Sequence, residues 1–306
     1  MELKEFLEKV KNSVCAFLGE GTKVELKEVV KNNGVVLQGL IIMEEGTMMS
    51  PTIYLDSFYE EYTRGRNFGE IVQEVSRIYE QNRVMDNIDF DFFLDYNAVR
   101  GRIFQKVVNY EKNKKMLENV PHIRFLDLAV VCYYAYMNDF LGRGSIQIDT
   151  GHLDRWGISQ EVLFSDAREN TMKKLGPEVK GMDEIVWEML SENLDGVSEE
   201  QFESVVNHTM REVPMYIMTL RGRYFGAVCI CFNDWLHAFA EKFGKNLFIL
   251  PSSIHELILI PDIGREKPDF LKKMVQEVNR EHVLREERLS DHVYYFNLLE
   301  DKVILL

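Results

Sequence analysis

NLFILPSSIHELILIPD, residues 246–262, sets two short apolar runs on either side of a polar junction. Residues 247–250 and 257–260 are apolar at every position, so both faces of each run need cover. That pattern predicts two central strands of a sheet. The junction, Leu250-Pro251-Ser252-Ser253, suits a type I turn, because proline pre-sets the second position and serine hydroxyls bond neighbouring backbone groups. Strands joined this tightly predict an antiparallel or mixed sheet, unlike the strict strand-helix alternation of a doubly wound fold.

The flanking segments extend the pattern. Towards the C-terminus, Pro268 opens an amphipathic helix, and residues 293–296 and 303–306 supply two closing strands. Towards the N-terminus, a helix carrying Trp235, Leu236, Phe239, Ala240 and Phe243 stops at Gly244. Before it, residues 215–220 and 225–232 read as a hairpin turning at Arg221-Gly222-Arg223. Helices are expected after the caps Ser159, Asp183 and Ser198, and strands over residues 125–137 and 145–148.

The first hundred residues carry their own signals. Leu3, Phe6, Leu7, Val10, Val14, Phe17 and Leu18 recur at helical spacing up to Gly19. Asn32-Asn33-Gly34 between apolar runs 24–30 and 35–42 marks a hairpin, because both turn residues tolerate positive φ. A short strand over residues 51–55 and two helices parted at Gly65 complete this module. The charged run Lys112 to Lys115 and Pro121 place a boundary, giving an N-terminal module over residues 1–118 and a domain over 119–306. The expected class is α+β: a helix with a small antiparallel sheet, then a larger mixed or antiparallel sheet with helices packed on it.

Composition narrows the function classes. The 306 residues are 46% hydrophobic and 28% charged, an ordinary composition for a folded chain. The formal charge of -14 opposes direct nucleic-acid binding, whose affinity comes largely from Lys and Arg displacing counterions. No run approaches the ~20 apolar residues of a membrane span. The N-terminus lacks the basic-then-apolar order of a signal peptide, so a cytoplasmic location is expected. Cys15, Cys132, Cys229 and Cys231 form no CxxC pair and read as reduced core residues, with Cys229 and Cys231 on one strand face.

The candidate functional site is Ser252, Ser253, His255, Glu256 and Asp262. A nucleophilic reading needs Ser253 and His255 in contact, yet alternate strand residues sit ~6.6 Å apart. No Gly-x-Ser-x-Gly elbow or His-Glu-x-x-His pair occurs, so no catalytic residue, metal ligand or cofactor is assigned. His237 and Glu241, at i and i+4, read as a helix-surface pair. Glu44, Glu45, Asp56, Glu60 and Glu61 lack the ligand spacing of a calcium loop. Arg-Gly-Arg recurs at 64–66, 100–102 and 221–223, with Gly142-Arg143-Gly144 similar in type. Arg221 and Arg223 are the candidate anion contacts, through bidentate donors at a turn tip.

PTIYLDSFYEEYTRGRNF (51–68), LPSSIHELILIPD (250–262) and LSDHVYYFN (289–297) resemble the marks of an uncharacterised family, catalogued as domain of unknown function 5688. The resemblance covers nearly the whole chain. It implies a protein of anaerobic Gram-positive bacteria and transfers no activity, cofactor or catalytic residue. The leading expectation is a non-enzymatic binding or regulatory protein whose partner is another protein. The alternatives are an enzyme of unknown reaction at the Ser252 to Glu256 junction and an acidic nucleic-acid mimic that inhibits a DNA-binding protein.

Overall fold

Asn33 and Gly34 sit at φ 61° and 67°, the left-handed geometry that the hairpin signal requires. They join β1 (Thr22–Val30) to β2 (Val36–Glu44), which pair antiparallel from Thr22↔Glu44 to Val30↔Val36. This is a computed structural model, and it describes residues 1–19, 21–44, 52–82, 91–138, 142–193, 214–265 and 267–306. The helix capped by Ser198, the start of the strand at Pro51, Phe90 and Glu45 lie outside the described residues. The chain divides into two compact units, Met1–Val99 with Ala135–Ile146, and Arg100–Tyr134 with Gln147–Leu306.

In the first unit, α1 (Leu3–Leu18) buries Phe6, Leu7, Val10 and Val14 along one stripe and ends where Gly19 turns to φ 80°. β3 (Thr52–Tyr54) adds to the free edge of β2. α2 (Asp56–Thr63) and α3 (Phe68–Asn82) contribute Phe58, Ile71, Val75 and Tyr79 to the same core as Phe6, Leu40 and Ile42. Arg66 pairs with both Glu61 and Glu74, so the first Arg-Gly-Arg anchors α2 to α3.

The short helix α4 (Tyr96–Val99) belongs to the first unit and β4 (Ile103–Asn109) to the second. β4 pairs antiparallel with β6 (Leu128–Asn138), which also pairs with β5 (His122–Phe125) and with β7 (Gly142–Gln147). Residues 125–137, expected as one strand, instead bend at Leu126-Asp127. Leu126 takes φ 55°, Phe125 pairs with Leu128, and the Asp127 carboxylate is drawn off by a polar cluster described below.

A short helix α5 (Lys114–Leu117) lies between β4 and β5. The middle of the unit contains α6 (Thr150–Trp156) and α7 (Gln160–Asn170), with Ser159 Oγ accepting from the Val162 amide as an N-cap should. β8 (Pro177–Gly181) and α8 (Met182–Asn193) follow. A six-stranded sheet then takes the order β13-β12-β10-β11-β9-β8. Its strands are β9 (Tyr216–Leu220), β10 (Leu247–Pro251), β11 (Leu257–Pro261), β12 (Tyr294–Asn297) and β13 (Lys302–Leu305), with β8 at one edge. Every neighbouring pair is antiparallel. The protein is α+β, and β10 and β11 are central strands buried almost throughout.

α9 (Asn233–Phe243) stops at Gly244, φ 58°, and α10 (Pro268–Glu281) starts on its proline. Residues 225–232 are a correction: Gly226–Cys231 form a buried 3-10 segment, and no second hairpin arm exists. Both edges of β9 are taken, by β8 and β11, so no ladder is open to a returning strand. Cys229 and Cys231 therefore do not share a strand face, and burial pushes both thiols up. No helix among the described residues is long and apolar enough to cross a membrane.

Candidate functional site

The register Pro251↔Leu257 leaves Ser252 to Glu256 as the connection between β10 and β11. The two serines serve the turn. Ser253 Oγ accepts from the backbone N–H of His255 at 3.0 Å, and Ser252 Oγ reaches Glu256 Oε1 at 3.4 Å. Ser253 therefore meets the His255 backbone and not its imidazole. Asp262 lies past the other end of β11, where it accepts from Tyr295 Oη at 2.6 Å and from the Gly264 amide. Five strand residues separate it from Glu256, six rises of 3.3–3.4 Å or roughly 20 Å.

His255 is the pivot of the junction. Its Nδ1 accepts from the Phe225 amide at 3.2 Å, which fixes the tautomer: the proton of the neutral ring sits on Nε2, 3.7 Å from Glu287 Oε1. Its carbonyl accepts from Thr219 Oγ1 at 2.8 Å. The ring stacks on Phe225 at 5.5 Å with only 7° between the planes. Burial pushes the imidazole below its ordinary pKa, helped by the Lys106 charge and opposed by Glu287 and Glu256.

Of the two candidate arginines, Arg223 joins this region and Arg221 does not. Arg221 lies against Gly176, to whose carbonyl it donates its amide at 3.2 Å. Arg223 approaches Glu178 at 3.5 Å and Glu188 at 3.6 Å. A cavity of about 180 Å³ opens beside it, lined by Glu178, Lys180, Ile185, Ile217, Thr219, Arg223 and Glu256. The register explains the lining: Glu178 stands opposite Thr219 and Lys180 opposite Ile217, so these four side chains share one sheet face. Arg223 and Glu256, singled out separately in the sequence, thus face one cavity.

Lys106 is a site residue that sequence reasoning missed. Its Nζ lies 4.4 Å from the Phe225 ring centroid and 5.7 Å from that of Tyr133, with Tyr224 packed on Phe225 at 3.9 Å. Among the described residues no carboxylate pairs with it. Burial alone brings its pKa from 10.5 down to about 8. The residue keeps part of its surface accessible while protein crowds the amine on nearly every side. The signal was present in the sequence as the single charge within the apolar run Ile103-Phe104-Gln105-Lys106-Val107-Val108.

That lowered pKa carries a stability consequence. The folded chain resists protonation that the unfolded chain accepts, so the cost is complete below pH 8 and disappears as pH rises through 10.5. At about 1.4 kcal/mol per pH unit, and less ~1 kcal/mol for the ring contacts, Lys106→Met is expected to stabilise by roughly 2 kcal/mol at pH 7 and by almost nothing at pH 10.5. Urea titrations of both proteins at the two pH values check this; an equal gain at both would show that packing, and not charge, is responsible.

The family model described as a family of unknown function (DUF5688) matches residues 3–298. The chain belongs to this family. No curated protein and no solved structure matches it.

Two of the three stretches that carried the resemblance to DUF5688 form polar clusters in the second unit. One is the His255 junction. The other, LSDHVYYFN, converges on Asp127: Ser290 Oγ donates to Oδ2 at 2.7 Å, His292 Nδ1 lies 3.0 Å from the same oxygen, and Tyr294 Oη donates to Oδ1 at 2.7 Å. Serine, histidine and aspartate are gathered here, but in the wrong order for nucleophilic catalysis. Ser290 and Asp127 meet the same imidazole nitrogen, whereas a triad needs serine on Nε2 and the acid on Nδ1. The serine is also buried, with its proton given to Asp127. This cluster joins the β5–β6 turn to β12. On α9, His237 contacts Glu241 at 3.4 Å and Asp301 at 3.0 Å on the surface, and the hydrogen bond that its ring donates to the Asp301 carboxylate raises its pKa. No group of three or more metal-ligating side chains occurs among the described residues.

Proposed function

We propose that the protein is a non-enzymatic binding protein whose ligand is a small zwitterion held between Arg223 and Glu256. The observation that carries this reading is the cavity itself: the cations Lys180 and Arg223 and the carboxylates Glu178 and Glu256 line it together with the apolar side chains of Ile185 and Ile217. Arg223 offers paired donors to a carboxylate, and Glu256 offers acceptors to an ammonium. The ion pairs that now engage Arg223 are long and half exposed, worth ~0–1 kcal/mol, and yield readily to a better partner. A volume of about 180 Å³ equals roughly six waters, which suits a molecule of amino-acid size. The use of Ser252, Ser253 and His255 by the turn itself favours binding over turnover at the junction.

The test is thermal unfolding with a panel of free amino acids and betaines at millimolar concentration. One or more zwitterions should raise the Tm by roughly 5 °C near saturation, and Arg223→Ala and Glu256→Gln should each abolish the shift. If no zwitterion shifts the Tm, or if both variants respond like the wild type, the reading is wrong.

A further inference from the structure

We propose that Lys106 is a covalent attachment site for small uncharged aldehydes, its amine poised among Phe225, Tyr133 and His255. The inference stands apart from the zwitterion cavity, which Lys106 does not line.

Four observations combine. The first is position: Lys106 lies on β4 opposite Val131 of β6, on the face shared with Phe104 and its partner Tyr133. The second is what faces the amine. Tyr133 comes from β6, Tyr224 and Phe225 from the segment after β9, and His255 from the β10–β11 junction. These present ring faces and a neutral imidazole, and the nearby carboxylates Glu256 and Glu287 bear on His255 and form no pair with the lysine. The third is strain: Phe225 holds φ 55° and Arg223 holds φ 55°, a left-handed geometry that non-glycine residues adopt at a cost and that places the Phe225 ring under the amine. The fourth is chemistry. An amine in such surroundings is the kind that attacks carbonyls, because desolvation supplies the neutral, nucleophilic form near neutral pH. With a pKa of about 8, roughly a tenth of Lys106 is neutral at pH 7, against fewer than about one in a thousand for an ordinary exposed lysine.

The step balances without a redox partner. The Nζ lone pair forms a bond to the carbonyl carbon, two amine protons leave with the carbonyl oxygen as water, and a C=N bond remains. Protonated, this iminium is again a cation over the Phe225 and Tyr133 rings and keeps their attraction. The aromatic walls favour an apolar aldehyde, while Glu256 and Glu287 beside His255 disfavour an anionic 2-oxo acid.

The full chain is treated with propanal and sodium cyanoborohydride, the latter reducing the iminium to a stable propyl-lysine, and the modified lysines are mapped by peptide mass. Lys106 should be labelled about tenfold faster than exposed Lys23, with a rate that inflects near pH 8. Pyruvate in place of propanal should label it far more slowly. Labelling no faster than Lys23, or an inflection above pH 10, would overturn the proposal; equal labelling by pyruvate would overturn the uncharged class. The comparison uses wild-type protein throughout, so it does not depend on any variant folding.

Discussion

Gly226→Ala is expected to cost the second unit at least ~3 kcal/mol, a large share of the ~5–15 kcal/mol that holds a typical domain folded. A methyl group at 226 would overlap Thr219 Oγ1 and stand 2.5 Å from the Leu220 amide nitrogen and 2.6 Å from the His255 carbonyl oxygen. Two of these three obstacles are backbone, in central strands or their junction, and cannot rotate away. Relief requires β9 and the His255 turn to part, which breaks the Thr219–His255 hydrogen bond and withdraws the Phe225 amide from His255 Nδ1. All three tryptophans, Trp156, Trp187 and Trp235, lie in the second unit, so urea unfolding followed by their fluorescence reads this unit alone. Thr219→Ala in the Gly226→Ala background should recover less than half of the loss. A cost below about 1 kcal/mol would mean that the two backbones approach less closely than described.

Asp127→Ala should cost roughly 3–5 kcal/mol by a different route. Its carboxylate takes hydrogen bonds from Ser290 Oγ and Tyr294 Oη, and both residues are almost completely buried. Removing the acceptor strands two donors away from water, at ~1–3 kcal/mol each, and frees the tip of the β5–β6 turn. Tyr294→Phe gives the discriminating measurement. Alone it should destabilise; combined with Asp127→Ala it should recover about 1–2 kcal/mol, because one stranded donor is gone. Additive losses in the double variant would show that Tyr294 does not depend on Asp127. The phenol is already held far from ionisation by burial and by the neighbouring carboxylate, so the comparison needs no pH correction near neutrality.

The elements that were legible in the sequence are those whose cause is local. Asn33-Gly34 specifies its own turn through positive φ, Gly19 and Gly244 end their helices for the same reason, and Pro268 opens one. The unbroken apolar runs of β10 and β11 reported their central place correctly, because a strand with no polar face has to be covered on both sides. The misreadings at 125–137 and 225–232 share a different cause. Each is an apolar run that periodicity alone cannot divide. Whether it forms one strand, a hairpin or a 3-10 segment depended on a distant partner: Ser290, His292 and Tyr294 holding Asp127 in one case, β8 and β11 occupying both edges of β9 in the other.

The candidate site divides along the same line. The sequence by itself determined the α+β class, the central strand pair and a polar junction holding Ser252, Ser253, His255 and Glu256, because backbone geometry and hydrophobic cover act over a few residues. Only the tertiary structure decided what the junction faces. It turned the serines inward to the loop, left Asp262 at the far end of β11, and brought Arg223 to Glu256 across a cavity. It also set Lys106, some 150 residues away in the chain, over the ring that stacks on His255. Desolvation and charge proximity act through space between strands, and the positions of those strands follow from the packing of the whole unit.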